Sequence, residues 1–403
     1  MTLTLSRRRF LGAAGAVFAA ANLSRRASAA GARDPRLVVI ILRGALDGLS
    51  AVGPIGDPDY ADLHRALALT RDGPHAALPL DGFFGLNPGM KTFARLFAQK
   101  QALVLHATTT GYRQRSHFDG QDVLESGMPG PGRVESGWLN RAVARLPSAG
   151  RVEARALAVG YVPPLVMRGP APVLGWAPAD LPAPGADLIE RLTALYESRD
   201  PALAQALAAG LKAEREVQRG DMTGLKAGGD VIVQMRKAAA GAARLMAADD
   251  GPRIAALAFE GWDTHVAEGG PTGRLAQLLG GLDDAFGELE RGLGPAWAQT
   301  VVMAVTEFGR TARMNGDFGC DHGTGSAAFL AGGAVAGGRV VADWPGLKPA
   351  QLYENRDLRP TMDLRAALKG VLADHLGLSV AMLGEMVFPD SARISPLKGL
   401  IVA

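Results

Sequence analysis

Five apolar runs organise the chain. RLVVIILRG (Arg36 to Gly44) is continuous, rich in β-branched residues and closed by glycine. That pattern predicts a central strand buried on both faces, and so parallel to its neighbours. ALVLHA (Ala102 to Ala107), ARALAVG (Ala154 to Gly160), RIAALAFEG (Arg253 to Gly261) and TVVMAVTEFG (Thr300 to Gly309) predict four more strands. Between the last two lies GRLAQLLGGLDDAFGELERGL, with Leu275, Leu278, Leu279, Leu282 and Phe286 on one helical stripe. Strand, helix and strand at this spacing make a βαβ unit. GMKTFARLFAQK, after Asn87-Pro88, has helical spacing of Phe93, Leu96 and Phe97. From Asp180 to about Asp249 the chain is alanine-rich and helical in character without a strand, which predicts a helical insertion or cap over 180–250. The expected class is α/β, with helices around a mostly parallel sheet.

The first residues follow another logic. SRRRFLG (Ser6 to Gly12) precedes an apolar, alanine-rich run and the small-x-small signal Ala27-Ser28-Ala29. The run is too short and too rich in small residues for a membrane span. Arg7-Arg8 with Phe10-Leu11 predicts a twin-arginine (Tat) export signal over 1–29, read by the Tat machinery, and a periplasmic mature protein over 30–403 with no stable span after cleavage. Removing that segment takes away five arginines and no acids, so the formal charge moves from +3 to −2. The mature chain has no basic block, and a nucleic-acid partner is not expected. Cys320 is the sole cysteine, so an intrachain disulfide is excluded and stability must come from the core.

Candidate chemistry gathers where the strands end. RGALDGLS places Asp47 just past the first strand, and FEGWDTH places Asp263 and His265 past another. TEFGRT brings Glu307 and Arg310, and CDHGTG brings Asp321 and His322. Acids and imidazoles at one carboxyl edge are what a divalent metal needs, with room left for a substrate. Each residue also has an ordinary role open to it. Asp47 before glycine fits a cap, His265 a hydrogen-bonded loop histidine, and Asp321-His322-Gly323 a tight turn. His64 and His75 fall in a polar region and are expected at the surface, and His375 on a terminal amphipathic helix is expected to be structural.

The stretches LRGALDGLS, SHFDGQDVLESG, GWLNRAV, GWDTH, TEFGRTARMNG and DHGTGSAAFLAGG resemble the Tat-exported bacterial family catalogued as domain of unknown function 1501. That family is grouped by fold with the alkaline phosphatase and sulfatase superfamily. The resemblance implies an alkaline-phosphatase-like three-layer sandwich with a metal site at the strand ends. Asp47 resembles the superfamily's acid after the first strand. Asp263 and His265 resemble the Asp and His of a second metal, and His322 a late histidine. Phe308 stands where a paired histidine would be expected, and an apolar ring cannot ligate. That departure speaks against a two-zinc site and for a single ion, zinc or an oxygen-preferring Ca²⁺, Mg²⁺ or Mn²⁺.

Such enzymes hold a Ser, Thr or Cys nucleophile at a helix N-terminus. Ser116, beside His117 at the start of a predicted helix, is the candidate, with Thr108, Thr109 and Thr110 as rivals and an N-cap as the plain alternative. Arg113, Arg115 and Arg310 could clamp a phosphate or sulfate, or lie at the surface. His117 and Asp119 could ligate or orient. The expected function is an exported metal-dependent hydrolase of a small anionic phosphate or sulfate ester. The alternative is a metal-binding or assembly factor of the envelope with the same fold and no turnover.

Overall fold

The computed structural model describes residues 33–132, 134–147, 155–178, 186–218 and 231–402. The segment read as an export signal, 1–29, lies outside the described residues, as do the bends at Pro182 to Pro184.

All seven residues of β1 (Arg36–Leu42) are buried, as the unbroken apolar run requires. Around it stand β2 (Ala102–Thr109), β3 (Ala156–Val159), β4 (Val173–Trp176), β5 (Ile254–Phe259), β6 (Thr300–Thr306), β7 (Ser326–Ala331), β8 (Arg339–Val341) and β9 (Met362–Asp363). The sheet order is β8-β2-β7-β6-β1-β5-β3-β4, with β9 paired to β2. Leu37 is in register with both Ile254 and Val301, so β1 lies between β5 and β6, and all three run parallel. β7 alone runs against its neighbours β2 and β6.

Alternate residues of each strand feed two cores. Val38, Ile40, Leu257, Phe259, Val302 and Phe329 face one layer. Its helices are α2 (Lys91–Ala98), α7 (Val231–Ala247) and α8 (Arg274–Leu293). Leu37, Val39, Ile254, Met303 and Leu330 face the other, covered by α4 (Trp138–Val143) and α9 (Leu364–Asp374). The protein is therefore a three-layer α/β sandwich about a mixed, mostly parallel sheet.

The alanine-rich region contains α5 (Ala186–Arg199), α6 (Pro201–Gln218) and α7. Met235, Ala239, Ala242 and Met246 of α7 belong to the core itself, so that helix is a covering layer of the sheet and not a cap above it. No helix among the described residues is long and apolar enough to cross a membrane.

The edge that matters is the carboxyl edge. The chain leaves β1, β5 and β6 side by side there, and the loop after β2 leads into α3 (His117–Ser126) beside them.

Candidate metal centre

Glu307 directly follows β6, wholly buried, and its position dictates the rest. Its Oε1 accepts from Gly44 N at 2.9 Å, His117 Nδ1 at 2.9 Å and Gln121 Nε2 at 3.2 Å. Its Oε2 accepts from Thr306 Oγ1 at 2.9 Å. His117 and Gln121 are four apart on α3, so one helical face delivers both to the same oxygen. Burial pushes the Glu307 carboxyl up, but these donors outweigh it and hold it below its ordinary value. Phe308 stacks on the His117 ring at 5.1 Å between centroids. The residue that cannot ligate thus fixes the plane of one that can.

The loop after β6 doubles back on itself. Arg310 and His322 form an antiparallel bridge, and Thr311 N donates to Asp321 O at 2.8 Å. A side chain at position 323 would put its Cβ 2.2 Å from Arg310 O, and one at 319 would sit 2.2 Å from His265 O. Glycine at both places lets the return strand press against the loop bearing His265.

Three imidazoles and a carboxylate meet as a result. Asp263 Oδ1 lies 3.1 Å from His265 Nε2 and 3.4 Å from both His117 Nε2 and His322 Nε2. His265 Nε2 and His322 Nε2 are 2.9 Å apart. Every ring is held from behind through Nδ1: His117 by Glu307, His265 by Asp321 at 3.3 Å, and His322 by the carbonyl of Arg115 at 2.9 Å. Carbonyls and ionised carboxylates only accept, so each Nδ1 is the donor, and each neutral ring turns its Nε2 lone pair toward the cluster.

Arg310 already neutralises the Asp263 carboxylate from one side, but the inward Nε2 lone pairs still call for a proton or a cation, and the buried His117 Nε2 has no hydrogen-bond partner. Imidazoles backed by carboxylate or carbonyl are the outer-shell pattern of metal ligands. The residues fit a divalent cation: ligand atoms of His117, Asp263 and His322 lie within 4.8 Å of one another, His265 stands beside Asp263 and His322, and a set this rich in imidazole suits zinc better than Ca²⁺ or Mg²⁺. Side chains of Asp263 and His265 remain 43% and 38% exposed, so a ligand can reach the cluster from solvent.

The hydrogen bond to Glu307 raises the His117 pKa above its ordinary value, with burial opposing. Burial and the nearby His117 lower that of His322. Burial raises Asp263, but Arg310 more than offsets it and holds the carboxyl low. Asp321 is lowered chiefly by a hydrogen bond from Asn315.

The sequence candidates divide accordingly. His117, Asp263, His265 and His322 converge, while Glu307 and Asp321 stand behind them as holders of rings. Asp47 does not join them. Its Oδ1 caps the short helix α1 (Gly48–Ala51) through Leu49 N and Ser50 N, and its Oδ2 faces Ser50, His64 and Cys320. His64, expected at the surface, is fully buried, because α1 and the return loop cover it. His75 is exposed, and His375 is buried with Nε2 on Arg36 O.

Arg310 is not an outward anion clamp. It is buried, and its donors reach the carbonyls of Ala45, Gly44, Trp262 and Cys320 as well as Asp263. Arg115 is committed to Glu354 and Asp357. Arg113 donates to the carbonyls of Thr110 and Tyr112. Ser116 occupies the N-cap position of α3, its carbonyl accepting from Gly120 N at 2.8 Å, but its hydroxyl makes no capping bond. Gln121 and Asn315 escaped the sequence reading. For Gln121 the available signal was its i+4 spacing from His117.

Fold and site define a three-layer α/β protein with a histidine-rich cluster at the carboxyl edge of its sheet. The chain belongs to the family described as protein of unknown function (DUF1501), which matches residues 34–387. No curated protein matches the sequence. Among solved structures the chain is similar to Ps i-CgsB, crystallised in complex with k-i-k-neocarrahexaose, with 10% identity and a TM-score of 0.44 over 90% of this chain and 74% of that one. It is also similar to the phosphonate monoester hydrolase of Agrobacterium radiobacter, with 12% identity and a TM-score of 0.32 over 85% of this chain and 74% of that one. Both likenesses are remote.

Proposed function

We propose that the protein is an exported, metal-dependent hydrolase of a phosphate or sulfate ester. The observation that carries this reading is the convergence of three Nε2 lone pairs on Asp263, each imidazole held through Nδ1. His117, Asp263, His265 and His322 would hold the ion. A divalent ion bound there supplies Lewis-acid polarisation of an ester oxygen. Glu307, Asp321 and the Arg115 carbonyl fix the three rings, and Arg310 fixes the carboxylate. Ser116 offers a hydroxyl one residue before His117, at the N-terminal end of a ten-residue helix whose backbone amides favour negative charge.

A second reading, a metal-holding envelope factor without turnover, is favoured by one observation: Arg310 and Arg115 are already bound within the protein. Metal analysis of the exported protein, followed by a panel of phosphate and sulfate esters with Zn²⁺, Mn²⁺ or Ca²⁺, separates the two. Bound metal with ester turnover is expected, and metal with no turnover on any ester would favour the second reading. Export rests on Arg7-Arg8. The double variant R7K/R8K should leave precursor in the cytoplasm, and a normal periplasmic level would remove the Tat assignment.

A further inference from the structure

Behind the outer cluster lies a second one, sealed from solvent: Asp47, Ser50, His64, Glu268 and Cys320 are each at most 1% exposed. Atoms of Asp47, His64 and Cys320 lie within 4.8 Å of one another. Asp47 Oδ2 is 3.3 Å from His64 Nε2 and 3.3 Å from Cys320 Sγ. His64 Nδ1 is 3.0 Å from Ala312 O, to which it must donate, so the neutral ring turns its Nε2 lone pair on the carboxylate. Glu268 adds an independent observation. Its Oε2 accepts from Thr264 Oγ1 at 3.0 Å, but its buried Oε1 has no hydrogen-bond partner, and the carboxyl faces Asp47, Ser50 and His64.

Without a cation, the cluster must take up an extra proton: burial and the Asp47 charge push the Glu268 carboxyl up to about 8, and, against the pull of burial, Asp47 raises His64. The acceptors turned inward are Asp47 Oδ2, His64 Nε2 and Glu268 Oε1. Ser50 has one hydroxyl proton for two of them, Asp47 Oδ2 at 3.1 Å and His64 Nε2 at 2.8 Å. The Cys320 thiol is a weak donor. Two buried carboxylates side by side must either share a proton or hold a cation between them.

We propose that Asp47, His64 and Cys320, with the Glu268 carboxyl beside them, form a closed, structural divalent-metal site of the zinc class, distinct from the outer cluster. Thiolate, imidazole and carboxylate are zinc's own donor set, and tetrahedral bonds of about 2.0–2.3 Å place ligand atoms about 3.3–3.6 Å apart, which the two contacts to Asp47 approach. The Ala312 carbonyl behind His64 is the backing that ligating histidines use. The ion ties together four segments: the turn after β1, the short helix Tyr60–His64, the loop after β5 and the return loop after β6. Glu268 shares its loop with Asp263 and His265, and Cys320 directly precedes Asp321 and His322. The buried ion therefore holds in place the segments that present the outer imidazoles.

Because Cys320 is the sole cysteine, a thiolate-to-cobalt charge-transfer band in the full-length protein from Co²⁺-grown cells reports on this site alone. The band is expected in the wild type, retained in His322→Ala and lost in Cys320→Ser. Zinc-grown protein should lose one ion per chain in Cys320→Ser and in the near-isosteric Glu268→Gln. A folded wild-type protein with no thiolate band overturns the proposal and leaves a proton shared among Asp47, His64 and Glu268. The wild-type spectrum needs no variant, so a misfolded Cys320→Ser does not shield the idea. An outer cluster that binds nothing would leave the band in place, which keeps failure of one site distinct from failure of the other.

Discussion

His322→Ala should strip the outer cluster of its ion and lower ester turnover on the order of 10³-fold, because Lewis-acid stabilisation is worth several kcal/mol. Folding should survive, since the ring is partly exposed and its only backbone partner is the Arg115 carbonyl. Metal content, turnover and thermal melting measured together make the test. A folded variant that keeps both its metal and its turnover would remove His322 from the site. Glu307→Gln should behave differently. It keeps the shape behind His117 but removes the charge, and such outer-shell changes cost about 10–100-fold.

Acidity should act through His117. In the metal-free protein the hydrogen bond to Glu307 raises its pKa, so protons compete with an incoming cation for this ring at a higher pH than they would for a free imidazole. Apparent metal affinity should therefore weaken as pH falls through that raised value and level off above it. Asp263 and Glu307 are held below their ordinary values and stay ionised over the same range, so they add nothing to this dependence.

What could be seen in the sequence follows from what each signal measures. β1, β2, β3, β5 and β6 were legible because a strand buried on both faces must be apolar throughout. β7 was not, because SAAFLA is mostly small residues with no β-branched side chain, although it pairs on both sides. β4 ends the sheet and keeps only Trp176 fully buried, so its pattern is too weak to read.

The same limit applies at the site. Position after a strand told which residues stand at the carboxyl edge, and the structure brings Asp263, His265, Glu307 and His322 to one place there. Position could not tell direction. Asp47 leaves β1 at the same edge, yet Gly48 packs against the backbone of β7, where a Cβ would lie 2.7 Å from Ala327 N, and that packing commits Asp47 to α1 and the buried cluster. His64 looked superficial because DLHRAL is polar around it. Its burial depends on Ala312 and Ser50, 248 and 14 residues away.

Arg310 offers the largest stability effect. A loop arginine beside an acid reads as an anion clamp, but every donor group here is spent on the protein. Nε serves Ala45 O at 2.8 Å, Nη1 serves Cys320 O at 3.0 Å, and Nη2 serves Gly44 O at 2.8 Å, Trp262 O at 3.2 Å and the Asp263 carboxylate. One buried cation thus ties the loops after β1, β5 and β6 together beneath the outer cluster. Arg310→Met would leave those carbonyls and Asp263 without that partner, and should destabilise the protein by about 3–5 kcal/mol. Arg310→Lys should recover little, because an ammonium cannot reproduce the planar fork. Denaturant midpoints at unchanged slope make the measurement. If Arg310→Lys instead keeps wild-type stability and only raises KM for an anionic ester, Arg310 contacts substrate and the structural assignment is wrong.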